Sequence, residues 1–513
     1  VYAQLSITSN KDKAYITNKL LFEYDKSPNS SLLTTNRKMV QQNLLQKSAS
    51  LSNEFDIIKT KGKADVVELY SYLSYLNKPE VLQIAPGLNE VVFNNNLAYK
   101  QLLQTANVPT YFTNTYISFR HPLKNVLSAY KIGFSSQNQQ LQTNTQVLQT
   151  NNRSKNVGDS FSNNLNWQYQ KIYAEANYDF VFERIKLSVS LPMKWQQINY
   201  SNSSFKTNGN INFSQFAVTP STNIKYATGI ENYITASYNY SNDCGTVEDA
   251  YHGYILKNFN QLSSNNIPIK QNEAHSANLG FNFRKTIKIF FFNINANYTS
   301  ASYNAISQNE LSNNLQQQTF IPFNNTVNSY SLSSGVSKYL FNWHSTVSVK
   351  ASIKQTDWNQ LQNGSLLNYN NVNTNIGGGI SPKINQWLNA AYNFGYTTST
   401  SKADITNAQK QVVDQVYQAT EITIMPGNNL FIKLKGEQFY INQKLTNNQN
   451  NYFFMDATLR YKLNKIKADI LFDILNIADT RQYSVINLSA NNLSENIYSI
   501  RPRQFLVKLL FNF

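Results

Sequence analysis

Four histidines, one cysteine and a small group of acids are the residues of this 513-residue chain best suited to chemistry. His121, His252, His275 and His344 do not pair at the spacings that metal ligands keep. His252 and His275 bracket the segment 242–270, and a metal held between them is one reading; two ordinary interfacial residues are the plainer one. Asp243, Glu248 and Asp249 could hold Ca²⁺, but their spacing matches no EF-hand loop and suits a solvated connection better. Cys244 has no partner cysteine, so no internal disulfide forms, and its thiol reads as a bystander. GxSxG, P-loop and CxxC patterns are missing. No catalytic residue, metal ligand or cofactor is assigned, and the chain is not expected to be an enzyme.

Binding is better served than catalysis. Tyr251, His252, Tyr254, Phe259 and Trp358 place aromatic faces near amide-rich connections. Rings beside Asn and Gln donors suit sugars or peptides. The alternative is that these rings only pack the loops.

The elements that must carry these residues follow from composition. Charged residues are 14% of the chain and aromatics 13%, with 33 Tyr and 30 Phe, yet mean hydropathy is −0.44. Polarity therefore comes from Asn, Gln, Ser and Thr. A disordered chain would lack the rings. The formal charge of +16 is spread along the chain rather than gathered in a stripe. Nucleic acid is not an expected partner; anionic lipid headgroups or an anionic solute are. No stretch approaches the ~18 continuous apolar residues of a membrane helix, but a spanning strand needs only ~9–11, half of them apolar.

Period-two alternation recurs throughout. Ile172, Ala174, Ala176, Tyr178 and Phe180 share one face. Leu388, Ala390, Tyr392, Phe394 and Tyr396 share another, and Phe453, Met455, Ala457, Leu459 and Tyr461 a third. The opposite faces prefer Asn, Ser, Thr and Gly over Lys and Glu, which suits an enclosed aqueous interior rather than bulk solvent. Phe505, Val507, Leu509, Phe511 and Phe513 form the apolar face of the last strand, expected to meet lipid as the closing strand of a barrel. Aromatic residues gather near strand ends, like the girdles of outer-membrane barrels.

Connections alternate in length. Tight turns are expected near Asn10–Asp12, Lys61–Lys63, His121–Lys124, Phe182–Arg184, Thr228–Ile230, Arg284–Thr286, Lys338–Leu340, Lys383–Asn385, Pro426–Asn428 and Leu463–Lys465. Long ones fall at 76–110, 137–162, 242–270, 304–325, 400–411 and 478–496. The repetitive segment 135–156 reads as a mobile loop or hairpin tip. The fold class is therefore all-β: a transmembrane antiparallel barrel with short periplasmic turns and long extracellular loops. The count comes to about 21 strands, whereas closed bacterial barrels have even numbers. Residues 1–513 are thus expected to form one barrel lacking its first strand, with the last strand pairing either with a strand from elsewhere or with the segment at Val1. No signal peptide opens the sequence, so the chain is expected to be mature or to begin partway through a longer protein.

Two stretches carry a resemblance. One is Phe472-Asp473-Ile474-Leu475-Asn476-Ile477-Ala478-Asp479-Thr480-Arg481-Gln482-Tyr483, followed by Arg501-Pro502-Arg503 and the final strand. The other is Gly253-Tyr254-Ile255-Leu256-Lys257-Asn258-Phe259 with the strand from His275 to Arg284. Both are similar to the barrels of TonB-dependent outer-membrane receptors of the Bacteroidota type. The resemblance implies the outer membrane of a Gram-negative bacterium and active import of a nutrient: an oligosaccharide, peptide or chelate. It implies contact with outer-membrane lipids and lipopolysaccharide, and coupling through a plug domain to TonB. A surface lipoprotein or other subunits of an outer-membrane complex are further partners. The plug, the TonB box and the N-terminal regulatory-like domain of such receptors are not in this sequence. Two other roles stay open: a structural subunit of a larger outer-membrane assembly for secretion, gliding or polymer handling, and an open diffusion pore.

Overall fold

The computed structural model describes all residues except 12, 36–37, 63, 204–209, 313–314, 406–408, 490–491 and 512–513. Phe513, Asp12 and Lys63 lie outside the described residues. The chain is a single tall antiparallel sheet, with helix limited to a few one-turn segments.

Among the described residues, 27 strands join the main sheet. Five of them belong to structure at the long-connection end: Glu80–Ala85, Tyr99–Asn107, Ser154–Asn156, Ile255–Asn258 and Gln261–Asn265. Two more, Ile211–Val218 and Ser221–Ala227, occupy one position, since both pair with Ile185–Asn202. The wall thus has 21 antiparallel positions, from Tyr2–Lys11 to Gln504–Phe511. Tyr2–Lys11 pairs only with Ala14–Thr35, and Gln504–Phe511 only with Ala468–Leu475. An odd number of antiparallel positions makes these two outermost strands point the same way. They do not pair with each other among the described residues.

Register is kept in phase from strand to strand, so one face stays apolar around the wall. Leu69 stands opposite Ile117, Ile117 opposite Ile132, Ile132 opposite Ala174, and Ala174 opposite Met193. Far along the chain the same face carries Ile432 opposite Leu459, Leu459 opposite Phe472, and Phe472 opposite Val507. These large side chains are exposed: Ile132 is 58% accessible, Leu73 52% and Val507 67%. Phe505, Leu509 and Phe511 lie on the same outward face. A soluble protein avoids an apolar surface of this extent.

The expected tight turns appear at one end of the wall. Three are single 3₁₀ turns closed by a left-handed residue, at Ile289, His344 and Lys467. Two of these lie a few residues later than the sequence suggested, at Thr286–Ile289 and Phe341–His344. Prolines punctuate the other end. Pro220 interrupts a wall strand, and Pro79 and Pro109 separate two others from Glu80–Ala85 and Tyr99–Asn107, because proline has no N–H for the ladder. Their carbonyls still accept ladder bonds, from Lys47 (3.0 Å), Gln140 (3.3 Å) and Tyr240 (3.0 Å).

Two expectations are corrected. The connection expected at 304–325 is mostly strand, because Phe290–Ser312 and Leu315–Leu340 stay paired as far as Ser312 and Leu315. Most of the segment 135–156 is not a loop. It is the upper part of Val126–Gln149, paired with Asn163–Val181 on one side and with Tyr99–Asn107 and Thr110–Pro122 on the other. Apolar residues are few there, with Leu141, Val147 and Leu148 set among amides and hydroxyls, so the sequence shows only a weak period although the ladder continues.

Candidate functional site

The long connection between Tyr233–Cys244 and Gln271–Lys285 does not stand out into solvent. It runs inward as a strap, and the backbone of its residues is tied to amide side chains on the wall. Asn163 Nδ2 donates to Gly253 O (3.0 Å), and Gly253 N donates to Asn163 Oδ1 (2.8 Å). Gln104 repeats the arrangement, donating to Leu256 O (2.9 Å) and accepting from Leu256 N (2.7 Å). A primary amide carries a donor and an acceptor side by side, as a neighbouring strand does. Asn163 and Gln104 thus stand in for a strand where no strand runs.

The tip of the strap spans the rolled sheet. Phe259 N donates to Gln42 Oε1 (2.9 Å), on the third wall position, Lys38–Lys61. The next residue, Asn260, accepts from Gln316 N (2.7 Å), on the thirteenth, Leu315–Leu340. Gln261–Asn265 then pairs in parallel with Gln316–Phe320. Two consecutive residues therefore bridge strands ten positions apart, which only a curled wall permits.

Beneath and around the strap lies the apolar core of the protein. Val40, Leu82, Ile84, Phe93, Leu102, Val147, Phe161, Leu256 and Leu262 form one buried cluster. Leu141, Leu165, Trp167, Ile198, Val247, Tyr251 and Ile269 form a second. Gly253 is pressed against the wall so closely that a Cβ would sit 2.4 Å from Ser162 O. Glycine is the residue that permits this approach.

The structure brings together four of the five aromatic candidates. Tyr251 is buried, and its hydroxyl donates to Ser263 Oγ (2.9 Å). Tyr254 packs on Phe161 with ring centroids 5.7 Å apart, and its hydroxyl meets Gln317. Phe259 packs against the first cluster. His252 is half-buried, with Nδ1 2.6 Å from Asn265 O. Trp358 sits apart, on the wall strand Ser345–Gln362, with its ring 5.3 Å from that of the fully buried Tyr369.

His275, Asp249 and Asp243 have structural partners. His275 accompanies Tyr238, whose hydroxyl is 2.8 Å from its Nδ1. Asp249 closes the turn at the root of the strap by accepting from Thr246 N (3.1 Å), and it pairs with Lys270 (3.0 Å). Asp243 pairs with Lys194 (3.1 Å). Among the described residues no group of three His, Cys, Asp or Glu side chains is arranged to hold a metal. Sequence reasoning missed Gln42, Gln104 and Asn163. Their partners lie 217, 152 and 90 residues away, and nothing local distinguishes them from the many other amides.

No family model matches the sequence, and no curated protein does. Among solved structures the chain is similar to the ferric-catecholate import receptor Fiu from E. coli K12 in its closed form. Identity is 12% and the TM-score 0.42, over 99% of this chain and 81% of that one. It is similar also to the ferric citrate transporter FecA, at 10% identity and TM-score 0.42, over 99% and 77%. The copper transporter OprC gives 8% and 0.41, over 99% and 79%.

Two outcomes follow from the strap. Gln104→Leu leaves the N–H and C=O of Leu256 buried without partners, at a cost of roughly 1–3 kcal/mol for each group. Hydrogen exchange of residues 253–265 should quicken sharply in this variant while exchange in the wall strands is unchanged. Burial also holds the His252 imidazole below its ordinary value of 6.5, and its bond to the Asn265 carbonyl offsets this only in part. A released strap then binds the proton more readily than a seated one, so acid favours release. Protection of the strap amides, taken relative to their intrinsic exchange rates at each pH, should fall as pH drops from 7 to 5, and His252→Gln should remove most of that dependence.

Proposed function

We propose that this chain is the wall of an outer-membrane active transporter of the TonB-dependent receptor kind, importing a nutrient into a Gram-negative cell. The strap is the observation that carries this reading. An open diffusion pore gains nothing from an ordered core laid across its mouth, whereas a transporter must hold cargo and exclude bulk flow. The apolar outer face suits lipid. Exposed aromatic residues near the tight turns, including Trp343 and Trp387, suit the membrane interface. Lys100, Arg153 and Lys155, exposed at the opposite end, suit lipopolysaccharide phosphates. Energy would reach the wall through a plug and TonB, and a surface lipoprotein would be its companion on the strap side. In this reading Tyr251, Tyr254 and Phe259 serve capture by fixing the strap rather than by touching cargo.

The membrane part is tested by Ile132→Arg, which places a charge on the outer face six residues above a tight turn. It should destabilise the folded protein in lipid vesicles by about 2–4 kcal/mol, as read by urea unfolding. The inward-facing Lys131→Gln should cost far less. The transport part is tested by growing a deletion strain on single nutrients. Loss of growth on one scarce nutrient, restored by the full-length gene, is the expected result. Unimpaired growth on every nutrient with a defect in secretion, gliding or polymer handling would favour the assembly role. High conductance of the full-length protein in liposomes would favour the pore.

A further inference from the structure

The strap covers the arc of the wall between the third and thirteenth positions and leaves the later strands bare. On their inner face one lateral row carries, in order, Lys350, Gly377, Gly395, Tyr417, Phe439 and Tyr452, each opposite the next. The Tyr417 and Phe439 rings pack with centroids 4.9 Å apart and planes tilted by 43°. Tyr483 descends on them from the hairpin Gln482–Ser489 and Asn492–Ser499, with its ring 5.4 Å from Phe439 and 5.3 Å from Tyr452. That hairpin is held in place. The Tyr452 hydroxyl donates to Ser484 Oγ (3.0 Å), and Ile486 is buried with Val413 and Ile441. A cavity of about 710 Å³ opens in front of these rings.

The glycines of the row differ in what they do. A Cβ on Gly377 would come within 3.2 Å of Lys350 Cε and 3.1 Å of Phe394 O, so the fold itself asks for glycine there. Gly335, one strand further back, is similarly overlaid by Asn293 at 3.2 Å. At Gly395 the nearest atom would be Tyr417 Cβ at 3.8 Å, an ordinary contact. The protein's own packing does not require glycine at 395. The bare backbone beside Tyr417 leaves room for something that comes from the interior.

The geometry points to a neutral polyhydroxylated chain, an oligosaccharide, as the ligand of this cavity. The inference rests on the transporter reading and names its cargo class. Rigid rings present flat faces to the C–H side of a sugar, while Asn375, Thr397 and Gln415 offer amide and hydroxyl groups to its hydroxyls. Among the described residues lining the cavity Lys350 alone is charged, and Glu437, which accepts from the Tyr417 hydroxyl (3.0 Å), is paired with Lys435 (3.1 Å). An anionic chelate would gather several cations, and a charged peptide would need counter-charges of both signs.

The test uses the full-length protein purified in detergent and titrated calorimetrically with maltohexaose, cellohexaose, xylohexaose and mannohexaose. At least one should bind. Tyr417→Ala and Gly395→Val should each weaken that binding about tenfold or more, which corresponds to losing one ring contact. Heat-modifiable migration on gels, which reports the folded barrel, should be unchanged in both, and Trp387→Ala should bind as the unaltered protein does. Binding of none of the four by the folded protein would overturn the inference, as would equal binding by both variants. The two readings fail separately. A deletion strain that loses growth on a peptide or chelate, with no oligosaccharide bound, removes this site and keeps transport. Oligosaccharide binding without any growth defect keeps the site and removes transport.

Discussion

Strand register is the constraint on which everything else in this protein depends. Side chains alternate with a period of two, so a slip of one residue anywhere would carry an entire strand's apolar set to the inside. Across the wall from Leu69 to Met193, and again from Ile432 to Val507, no such slip occurs. The two faces therefore remain chemically distinct. A lipid-compatible exterior and an amide-lined interior are consequences of one hydrogen-bonding pattern held in phase.

Much of this was legible because alternation survives in sequence wherever one face is apolar. The strands Asn163–Val181, Leu388–Ala403 and Asn448–Leu463 could be read directly. Tight turns were found within a few residues because the alternation breaks at them. The segment 135–156 was misread because its strand rises beyond the apolar belt. Gln and Asn occupy both faces there, and the period has nothing to modulate. At Pro220 one wall position is split, yet the ladder resumes on the far side of the proline.

The candidate site was legible only in part, for a related reason. Tyr251, His252, Tyr254 and Phe259 are neighbours in sequence and stay neighbours in the strap. Trp358 belongs to another strand, and no sequence signal says which loop it faces. The rings of the bare arc, Tyr417, Phe439, Tyr452 and Tyr483, come from four separate strands. Each looks like an ordinary strand aromatic until register sets them side by side. The buried core has the same character. A rolled wall has no interior of its own to fill, so close packing is concentrated where connections fold back over its mouth.

Gln104, Asn163 and Gln42 hold the strap by its peptide groups and make no demand on its side chains at those points. The path of the strap is therefore encoded partly in the wall and partly in its buried side chains, and only its exposed residues, such as Lys257 and Asn266, are released from specifying it. A segment held in this way can exchange most of its surface chemistry without losing its course. Over evolutionary time the mouth of such a protein can acquire new contacts quickly, while the three amides and the glycine at 253 change slowly. The slow residues then mark the architecture and the fast ones the adaptation, the reverse of what position in a loop or a strand would suggest.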